Sequence, residues 1–487
     1  MKLALISLLM VFSSLIGVNQ EHEIVKKIEG IIKATHDPKF QEVWPSFDFS
    51  SQATLATFRN GHLYALDFTS DDPSWERERI GDQTILYSPK DTVSASQFPF
   101  QPNFKLEGKA TYAFSMEPIL KGDMNSYHVF VHERFHTHQF KHFPRQRHGH
   151  YHDQWNPENL TLVKMEEKAL IHFFKGKGEE RKEFLKDFIA IHQMREALIH
   201  PDSIQWENHE QTMEGLAEYV SFKLFDTFPE LQVRDGQAKL IQVLETYEQN
   251  PEVAARVVKW RHYGVGAALA YALDELEVKD WKKMVEEQGV SMVDLLQAAL
   301  PMSAAEAEER FQNWIGGAYD YEKSTKIVEK GVKNYFQAVE NTLKNFDERE
   351  GIFVSIAAPR TVAISGQGKT DRQVSLPNGT QVSLRDTSTF TTSDRNWRLD
   401  LKEHPQVFQT YFGSREFKCD TQAKIWVDGK EQALSKIAQM GQEKRSFKSL
   451  RIEGKGTSFE SSTHPGQLYI DEDGAVVIEY PPPAPTP

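Results

Sequence analysis

The sequence has a single cysteine, Cys419, among 487 residues, and this scarcity excludes several kinds of site. One cysteine cannot form an internal disulfide, and it cannot supply a cysteine cluster for zinc or for an iron–sulfur centre. Basic residues are also few, 57 against 70 acidic ones, so the formal net charge is −13. Because nucleic-acid recognition depends on a basic surface, we expect no nucleic-acid partner.

Long hydrophobic runs are scarce as well. Beyond the N-terminus, no segment approaches the roughly 20 apolar residues that a membrane-spanning helix needs. The apolar run at residues 3–12 follows the positive Lys2 and precedes small and polar residues, which is typical of a secretory signal peptide. We therefore predict a signal over residues 1–20 and no stable membrane span after its removal; an uncleaved anchor is the alternative. An exported chain with one cysteine favours a bacterial periplasmic or secreted protein.

Hydrophobic residues make up 39% of the chain and charged residues 26%, so it can build ordinary cores, and its length indicates two or three domains. The pattern predicts an α+β protein. Strand-like runs around Asn60-Gly61 predict a hairpin in a small, mixed, β-rich N-terminal subdomain. The predicted regions are a β-rich subdomain over 21–126, a helical domain over 127–350, a β-rich, sandwich-like domain over 351–480 and a disordered proline-rich tail over 481–487.

Periodicity places the individual elements. In the N-terminal region it predicts a helix at 21–34, a turn-rich connector at 44–48, and strands at 53–58, 62–68, 84–87 and 110–116. Helical spacing occurs at 160–174, 179–198, 213–225, 237–248, 267–277, 292–300, 303–315 and 324–346. The C-terminal strands are predicted at 353–357, 361–365, 373–376, 381–384, 424–427, 450–452, 468–470 and 475–479.

The segment from His132 to His136 contains the pattern H-E-x-x-H. On a helix, residues four positions apart lie on the same face, so both imidazoles project together and can bind one zinc ion. Glu133 would then lie beside a zinc-bound water and could accept its proton. The pattern therefore predicts His132 and His136 as ligands of Zn2+ and Glu133 as a general base.

Catalytic zinc usually has three protein ligands, so a third is needed. His142 lies six residues after His136, where metzincins place a third histidine, but Gln139 stands where their pattern has glycine. A carboxylate-rich helix downstream is the better source. It offers three candidate ligands, which are Glu210, Glu214 and Glu218. A solvated acidic helix face is the alternative interpretation.

The combination of H-E-x-x-H with E-G-x-A-x-Y at 214–219 resembles the gluzincin metallopeptidases, in particular their aminopeptidase N-like and peptidase MA-like branches. The resemblance covers residues 127–276 and implies a zincin-like catalytic fold with Zn2+ as cofactor. It implies Glu214 as third ligand and Glu218 as a carboxylate that orients a ligating histidine, a role such partners commonly have. Glu210 is the second choice of ligand and Glu218 the third. Either could instead hydrogen-bond to a ligating histidine and orient it.

The same resemblance suggests further site features. Arg261-His262-Tyr263-Gly264-Val265-Gly266 resembles the Y-x-x-G segment of peptidase MA-like proteins. This implies Tyr263, or alternatively His262, as a donor that stabilises the oxyanion. An ordinary buried aromatic is the other interpretation. Gluzincins also present an edge strand before the zinc helix, and 110–116 is the candidate for it here. W-P-x-F-D at 44–48 ahead of H-E-x-F-H resembles uncharacterised exported bacterial proteins.

One motif falls outside this scheme. His148, His150 and His152 alternate along the chain and could bind a second metal ion, although such a run is more often a polar loop.

The resulting expectation is an exported zinc-dependent metallopeptidase that hydrolyses a peptide or protein substrate. A non-catalytic, metal-stabilised binding protein of the envelope or exterior is the alternative. A third interpretation is a structural envelope protein in which H-E-x-x-H is accidental.

Overall fold

The computed structural model describes residues 20–480 apart from short internal gaps. The gaps are 48–52, 59–61, 81–82, 89–99, 124, 146–150, 232–235, 249–258, 349, 358–371, 376–380, 385–389, 394–396, 402–405, 410–413, 440–441, 456, 462–464 and 473. Helices and strands both contribute, so the predicted α+β class is confirmed. The predicted signal peptide, except its last residue, and the predicted tail lie outside the described residues.

The chain divides into two compact units, residues 1–329 and 330–487. The division falls within a long helix, Tyr321–Glu348. Both the predicted N-terminal subdomain and most of the predicted helical domain lie in the first unit, where they share one hydrophobic core. None of the helices in the described part of the chain is long and apolar enough to cross a membrane.

The first unit contains a six-stranded sheet in the order β3-β4-β2-β1-β6-β5. Its strands are β1 (Ala53–Thr57), β2 (Leu63–Leu66), β3 (Glu76–Ile80), β4 (Gln83–Ser88), β5 (Phe100–Leu106) and β6 (Lys109–Ser115). β1 and β2 pair antiparallel as predicted, and the turn at 60–61 lies outside the described residues. β1 and β6 pair parallel, and the other described pairs are antiparallel.

The predicted edge strand at 110–116 is wrong in its position. β6 pairs with β1 on one side and with β5 on the other, so β5 is the edge strand. No strand was predicted for β5, which contains a proline, or for β3, whose charged residues are mostly exposed. Proline and alternating charge are tolerated at sheet edges, and both strands lie at an edge.

Helices make up most of the other described residues between 20 and 348. They are α1 (20–35), α2 (Pro38–Val43), α3 (Glu117–Leu120), α4 (Asn125–His142), α5 (Pro157–Lys175), α6 (Glu180–Leu198), α7 (Pro201–Glu210), α8 (Leu216–Thr227), α9 (Gly236–Glu248), α10 (Arg261–Glu275), α11 (Trp281–Gln288), α12 (Met292–Ala299), α13 (Ala304–Arg310), α14 (Gly316–Ala318) and α15 (Tyr321–Glu348). Short π-helical turns, Gln211–Gly215 and Phe311–Ile315, join α7 to α8 and α13 to α14. Ser303 and Glu306 form a capping box at the start of α13.

Successive side chains along a strand point to opposite faces of the sheet, so the strands contribute to two cores. Tyr64 and Phe114 contribute to the main core with the helices, while Leu55 and Leu63 belong to a smaller cluster. The described part of the predicted connector, 44–47, contains a turn and is also anchored in the main core by Trp44 and Phe47. Trp44 is fully buried and contacts the ring of Phe135 on α4 at a centroid distance of 5.2 Å.

The second unit is rich in strands. They are β7 (Ile352–Ala357), β8 (Arg372–Ser375), β9 (Gln381–Leu384), β10 (Phe390–Ser393), β11 (Trp397–Leu401), β12 (Gln406–Gln409), β13 (Ser414–Cys419), β14 (Lys424–Val427), β15 (Lys430–Ala433), β16 (Arg445–Phe447), β17 (Leu450–Gly454), β18 (Thr457–Ser461), β19 (Gly466–Ile470) and β20 (Val476–Glu479), with a short helix α16 (Leu434–Ile437) after β15. Among the described strands, six form one sheet and eight form another. Val354 and Phe417 from the larger sheet share a core with Leu399 and Ile452 from the smaller one. The predicted strand at 361–365 lies outside the described residues.

Candidate metal centre

Helix α4 carries the two predicted histidine ligands. Its start is capped by Asp123, whose carboxylate accepts hydrogen bonds from the backbone N–H of Asn125 and the hydroxyl of Ser126. Buried apolar residues of this helix, among them Phe130 and Phe135, pack into the main core. His132 is buried as well, and His136 is partly exposed.

The predicted third ligand lies in the π-helical turn between α7 and α8. A turn of this kind inserts one extra residue into a helix and occurs frequently at functional sites. Close packing against α10 accompanies it: a Cβ atom on Gly215 would lie 2.5 Å from Cα of Gly266, and one on Gly266 would lie 2.4 Å from the carbonyl oxygen of Gln211. Glycine at both positions therefore lets the turn and α10 approach each other closely.

One carboxylate oxygen of Glu214 lies close to both histidines. Its Oε2 lies 3.3 Å from Nε2 of His132 and 3.3 Å from Nε2 of His136. Ligand atoms bound to one zinc at about 2.0–2.1 Å in tetrahedral geometry lie about 3.3–3.4 Å apart. The three groups therefore fit a tetrahedral metal ion, and they form one of the groups in the described chain that could hold one.

A second carboxylate lies behind His132. Oε2 of Glu218 lies 3.2 Å from Nδ1 of His132, the nitrogen that faces away from Glu214. The same oxygen pairs with Nε2 of His128, whose Nδ1 lies 2.6 Å from the hydroxyl of Ser221. A carboxylate in this place fixes the orientation of His132 and leaves its Nε2 free to bind a metal.

Gln139 has the equivalent position behind His136. Its Oε1 lies 2.7 Å from Nδ1 of His136, and its amide nitrogen donates to the carbonyl oxygens of Thr212 and Met213, both at 2.9 Å. The side chain is buried. Gln139 therefore connects one histidine ligand to the backbone of the turn that carries Glu214. In the sequence, Gln139 was noted only because it replaces the glycine of the metzincin pattern. Its spacing of three residues from His136 on one helix could have indicated that the two side chains are in contact.

The electrostatics of the site follow from these contacts. Burial alone would raise the pKa of Glu214, but hydrogen bonds from His132 and His136 outweigh it and hold that pKa below its ordinary value. For Glu218, burial is outweighed by the charge and hydrogen bond of His128. Burial lowers the pKa of His132, but the hydrogen bonds to Glu214 and Glu218 raise it to about 10. Both carboxylates are therefore ionised at neutral pH, whereas His132 is protonated in the absence of a metal ion and would release its proton on binding one.

The same residues include a second possible group. His128, His132 and Glu218 also bring three ligand atoms close together, using Nδ1 of His132 in place of Nε2. The two groups share His132, and each would use a different ring nitrogen of it. Coordinates of a bound ion would distinguish them directly.

Tyr263 lies at the site, on α10. Its ring stacks on His132 with a centroid distance of 5.5 Å and an interplanar angle of 5°. Burial and then the charge of Glu214 raise its pKa far above the ordinary value, so the hydroxyl keeps its proton and remains a donor. Glu133 follows His132 on α4, and its charge helps to raise the pKa of Tyr263 and of His132.

His262, the predicted alternative to Tyr263, lies elsewhere. It is fully buried, and both ring nitrogens lack a hydrogen-bond partner within the described residues. Burial and then the charge of Arg261 lower its pKa to about 3, so it is neutral. Successive residues on a helix point about 100° apart, which explains why only one of the two reaches the site.

Arg261 belongs to a buried charge network that sequence reasoning missed. Arg195 pairs with Glu166 at 2.7 Å and with Glu207 at 2.5 Å, and Arg261 contacts the same two carboxylates at 2.6 and 3.3 Å. The four residues come from α5, α6, α7 and α10. Glu207 lies on α7, two helical turns before Glu214, and Arg261 lies on α10, two residues before Tyr263. The network therefore holds in place the helices next to Glu214 and Tyr263.

Glu210, the predicted second choice of ligand, is half-buried near the site but belongs to none of the three possible metal groups among the described residues. Burial and then the charge of Glu214 raise its pKa to about 6. Of the alternating histidines, His148 and His150 lie outside the described residues. His152 is exposed, with Nε2 3.5 Å from Oδ2 of Asp202, and together with His200 these form a looser third group.

Comparisons with known proteins add no assignment: no family model matches the chain, and neither a curated protein nor a solved structure matches it. Functional inference therefore depends on the residues and their geometry.

We expect Gln139→Met to weaken zinc affinity by about 10–100-fold, the usual effect of removing a group that orients a ligand. Methionine keeps most of the volume but cannot bond to His136 or to the turn. The measurement is zinc titration against a competing chromophoric chelator. Gln193→Met is the matched control, because Gln193 also donates to a backbone carbonyl, that of Met302 at 3.2 Å, outside the site. Equal zinc affinity in the two variants would contradict the role of Gln139.

Proposed function

We propose that the protein is an exported, zinc-dependent metallopeptidase of gluzincin type. One observation carries the proposal: a single carboxylate oxygen of Glu214 lies 3.3 Å from Nε2 of both His132 and His136. That spacing suits a tetrahedral zinc site with one open position, which is the arrangement of catalytic zinc. The finer architecture is part of the proposal: a zincin-like catalytic fold in the first unit and a sandwich-like fold in the second.

The residues around the ligands suit peptide hydrolysis. Zinc bound here would supply a Lewis acid for the scissile carbonyl and would lower the pKa of a water molecule. Glu133 follows the first histidine in the chain and takes the proton of the attacking water. Tyr263 keeps its proton and donates a hydrogen bond to the oxyanion that develops on the carbonyl oxygen. Glu218 and Gln139 hold the two imidazoles so that each presents Nε2.

A chelation experiment tests the proposal. Full-length protein is dialysed against 1,10-phenanthroline and assayed for cleavage of a mixed peptide library by mass spectrometry. We expect cleavage to stop on chelation and to return when about one equivalent of zinc is added, but not with magnesium, which prefers oxygen ligands. Protein that takes up zinc and cleaves no peptide would favour the metal-stabilised binding protein. Protein that takes up no zinc would refute the metal site as well.

A further inference from the structure

Large apolar side chains are rarely exposed in the described part of the chain, and two of the few that are lie beside the candidate metal centre. Phe140 is 68% exposed and Trp260 is 49% exposed. The other large exposed apolar residues among those described are Trp314 and Ile327. Exposed aromatic rings grouped at one place usually mark a binding surface.

The two rings stand at opposite ends of a row of ring contacts. At one end, Phe140 follows His136 by one helical turn, and their ring centroids are 6.1 Å apart. At the other end, the ring of Trp260 stacks on Tyr263 at 5.4 Å, and Tyr263 stacks on His132 at 5.5 Å. The rings of His132 and His136 are 4.7 Å apart and complete the row. A chain that crosses the metal centre along this row meets an exposed aromatic ring on each side.

The charge beside Trp260 limits what can bind there. Nζ of Lys259 lies 5.8 Å from the Trp260 ring centroid and 3.9 Å from Oε1 of Glu214, and the lysine side chain is half exposed. If Glu214 donates its charge to a metal ion, the lysine is left less neutralised. A basic substrate residue at this end would be repelled, while an apolar residue would gain contact with the indole.

We propose that Phe140 and Trp260, the aromatic pair, bind bulky apolar side chains of an extended peptide on the two sides of the scissile bond. The substrate class is then a peptide segment with an aliphatic or aromatic residue on each side of the cleaved bond and without a basic residue at the Trp260 end. This inference rests on the proposed peptidase function and adds a specificity to it.

The experiment compares cleavage-site preferences of the zinc-loaded full chain and its variants in a peptide library of defined composition. For peptides with bulky apolar residues at both positions, we expect Phe140→Ala and Trp260→Ala each to reduce kcat/KM by about 10- to 100-fold, as expected for loss of an apolar contact. Each variant should lose its preference on one side only. Phe140→Leu and Trp260→Phe should restore most of the rate. Cleavage of peptides with small residues should change little.

Trp314→Ala is the matched control, because Trp314 is 60% exposed and lies in the π-helical turn Phe311–Ile315, away from the row of rings. It should leave every preference unchanged. If the wild type cleaves peptides but prefers small or basic residues, or if the aromatic-pair variants keep wild-type preferences, the inference is overturned while the proposed function stands. If the zinc-loaded wild type cleaves no peptide, both are overturned.

Discussion

Replacement of Glu133 by glutamine is expected to reduce peptide hydrolysis by about 10²–10⁴-fold, the usual contribution of a positioned general base. Glutamine keeps the size of the side chain and can still form hydrogen bonds, but it cannot accept the proton of the attacking water. Glu133 is not a member of either possible metal group at the site, so zinc affinity should not change. The variant therefore separates catalysis from metal binding.

The measurement pairs a hydrolysis assay with zinc analysis on the same preparation. Glu210→Gln is the matched control: it removes a nearby carboxylate whose pKa is raised by burial and by the charge of Glu214, but one outside the possible metal groups of the described residues. It should retain activity within a few fold of the wild type. Unchanged hydrolysis in Glu133→Gln would eliminate the proposed mechanism, because no other residue in the proposal accepts the proton.

Replacement of Glu214 by alanine is expected to weaken zinc affinity by more than 100-fold. A direct ligand should contribute more than a group behind a ligand, for which losses of about 10–100-fold are typical. Glu218→Ala should fall in that smaller range, because Glu218 contacts Nδ1 of His132. Glu210→Ala should change the affinity least.

Competitive zinc titration of the three alanine variants ranks them, and thermal unfolding of the metal-free proteins checks that each remains folded. A folded Glu218→Ala protein that loses more affinity than Glu214→Ala would move the ion to the group of His128, His132 and Glu218. If Glu210→Ala causes the greatest loss, the assignment of Glu214 on this helix is wrong.

The parts of the site that local spacing determines could be predicted from sequence. Two histidines four residues apart on a helix must share a face, so the proximity of His132 and His136 follows from helix geometry alone. The structure also places Glu214 and Glu218 on opposite nitrogens of His132, the arrangement that the resemblance to gluzincins implied. Whether these residues bind zinc stays a prediction.

The preference for Tyr263 over His262 depended on the resemblance alone, because the sequence does not show which of the two side chains faces Glu214. Tyr263 lies near the charge of Glu214, whereas the buried His262 lies near the charges of Arg261 and Glu207. The sequence does not show that these charged residues are buried and paired with one another. Glu207 appears there as one more acidic residue on a helix, yet it is buried and paired with arginines from two other helices.

The fold was predictable where a pattern repeats within one element and was missed where an element depends on its neighbours. Long amphipathic helices such as α5 and α6 were predicted close to their observed bounds. The charged edge strand β3 and the short helix α7 were not. The segment around Trp44 shows the reason: its turn was predicted, but its burial depends on α4 and α11, where Glu286 accepts a hydrogen bond from the indole at 2.7 Å.

Anomalous X-ray scattering at the zinc edge, from crystals of the full chain grown with zinc, tests the central claim most directly. The account predicts one strong peak within about 2.0–2.2 Å of Nε2 of His132, Nε2 of His136 and a carboxylate oxygen of Glu214. A peak bound by Nδ1 of His132 together with His128 and Glu218, or no peak between α4 and the turn at Gln211–Gly215, would contradict it.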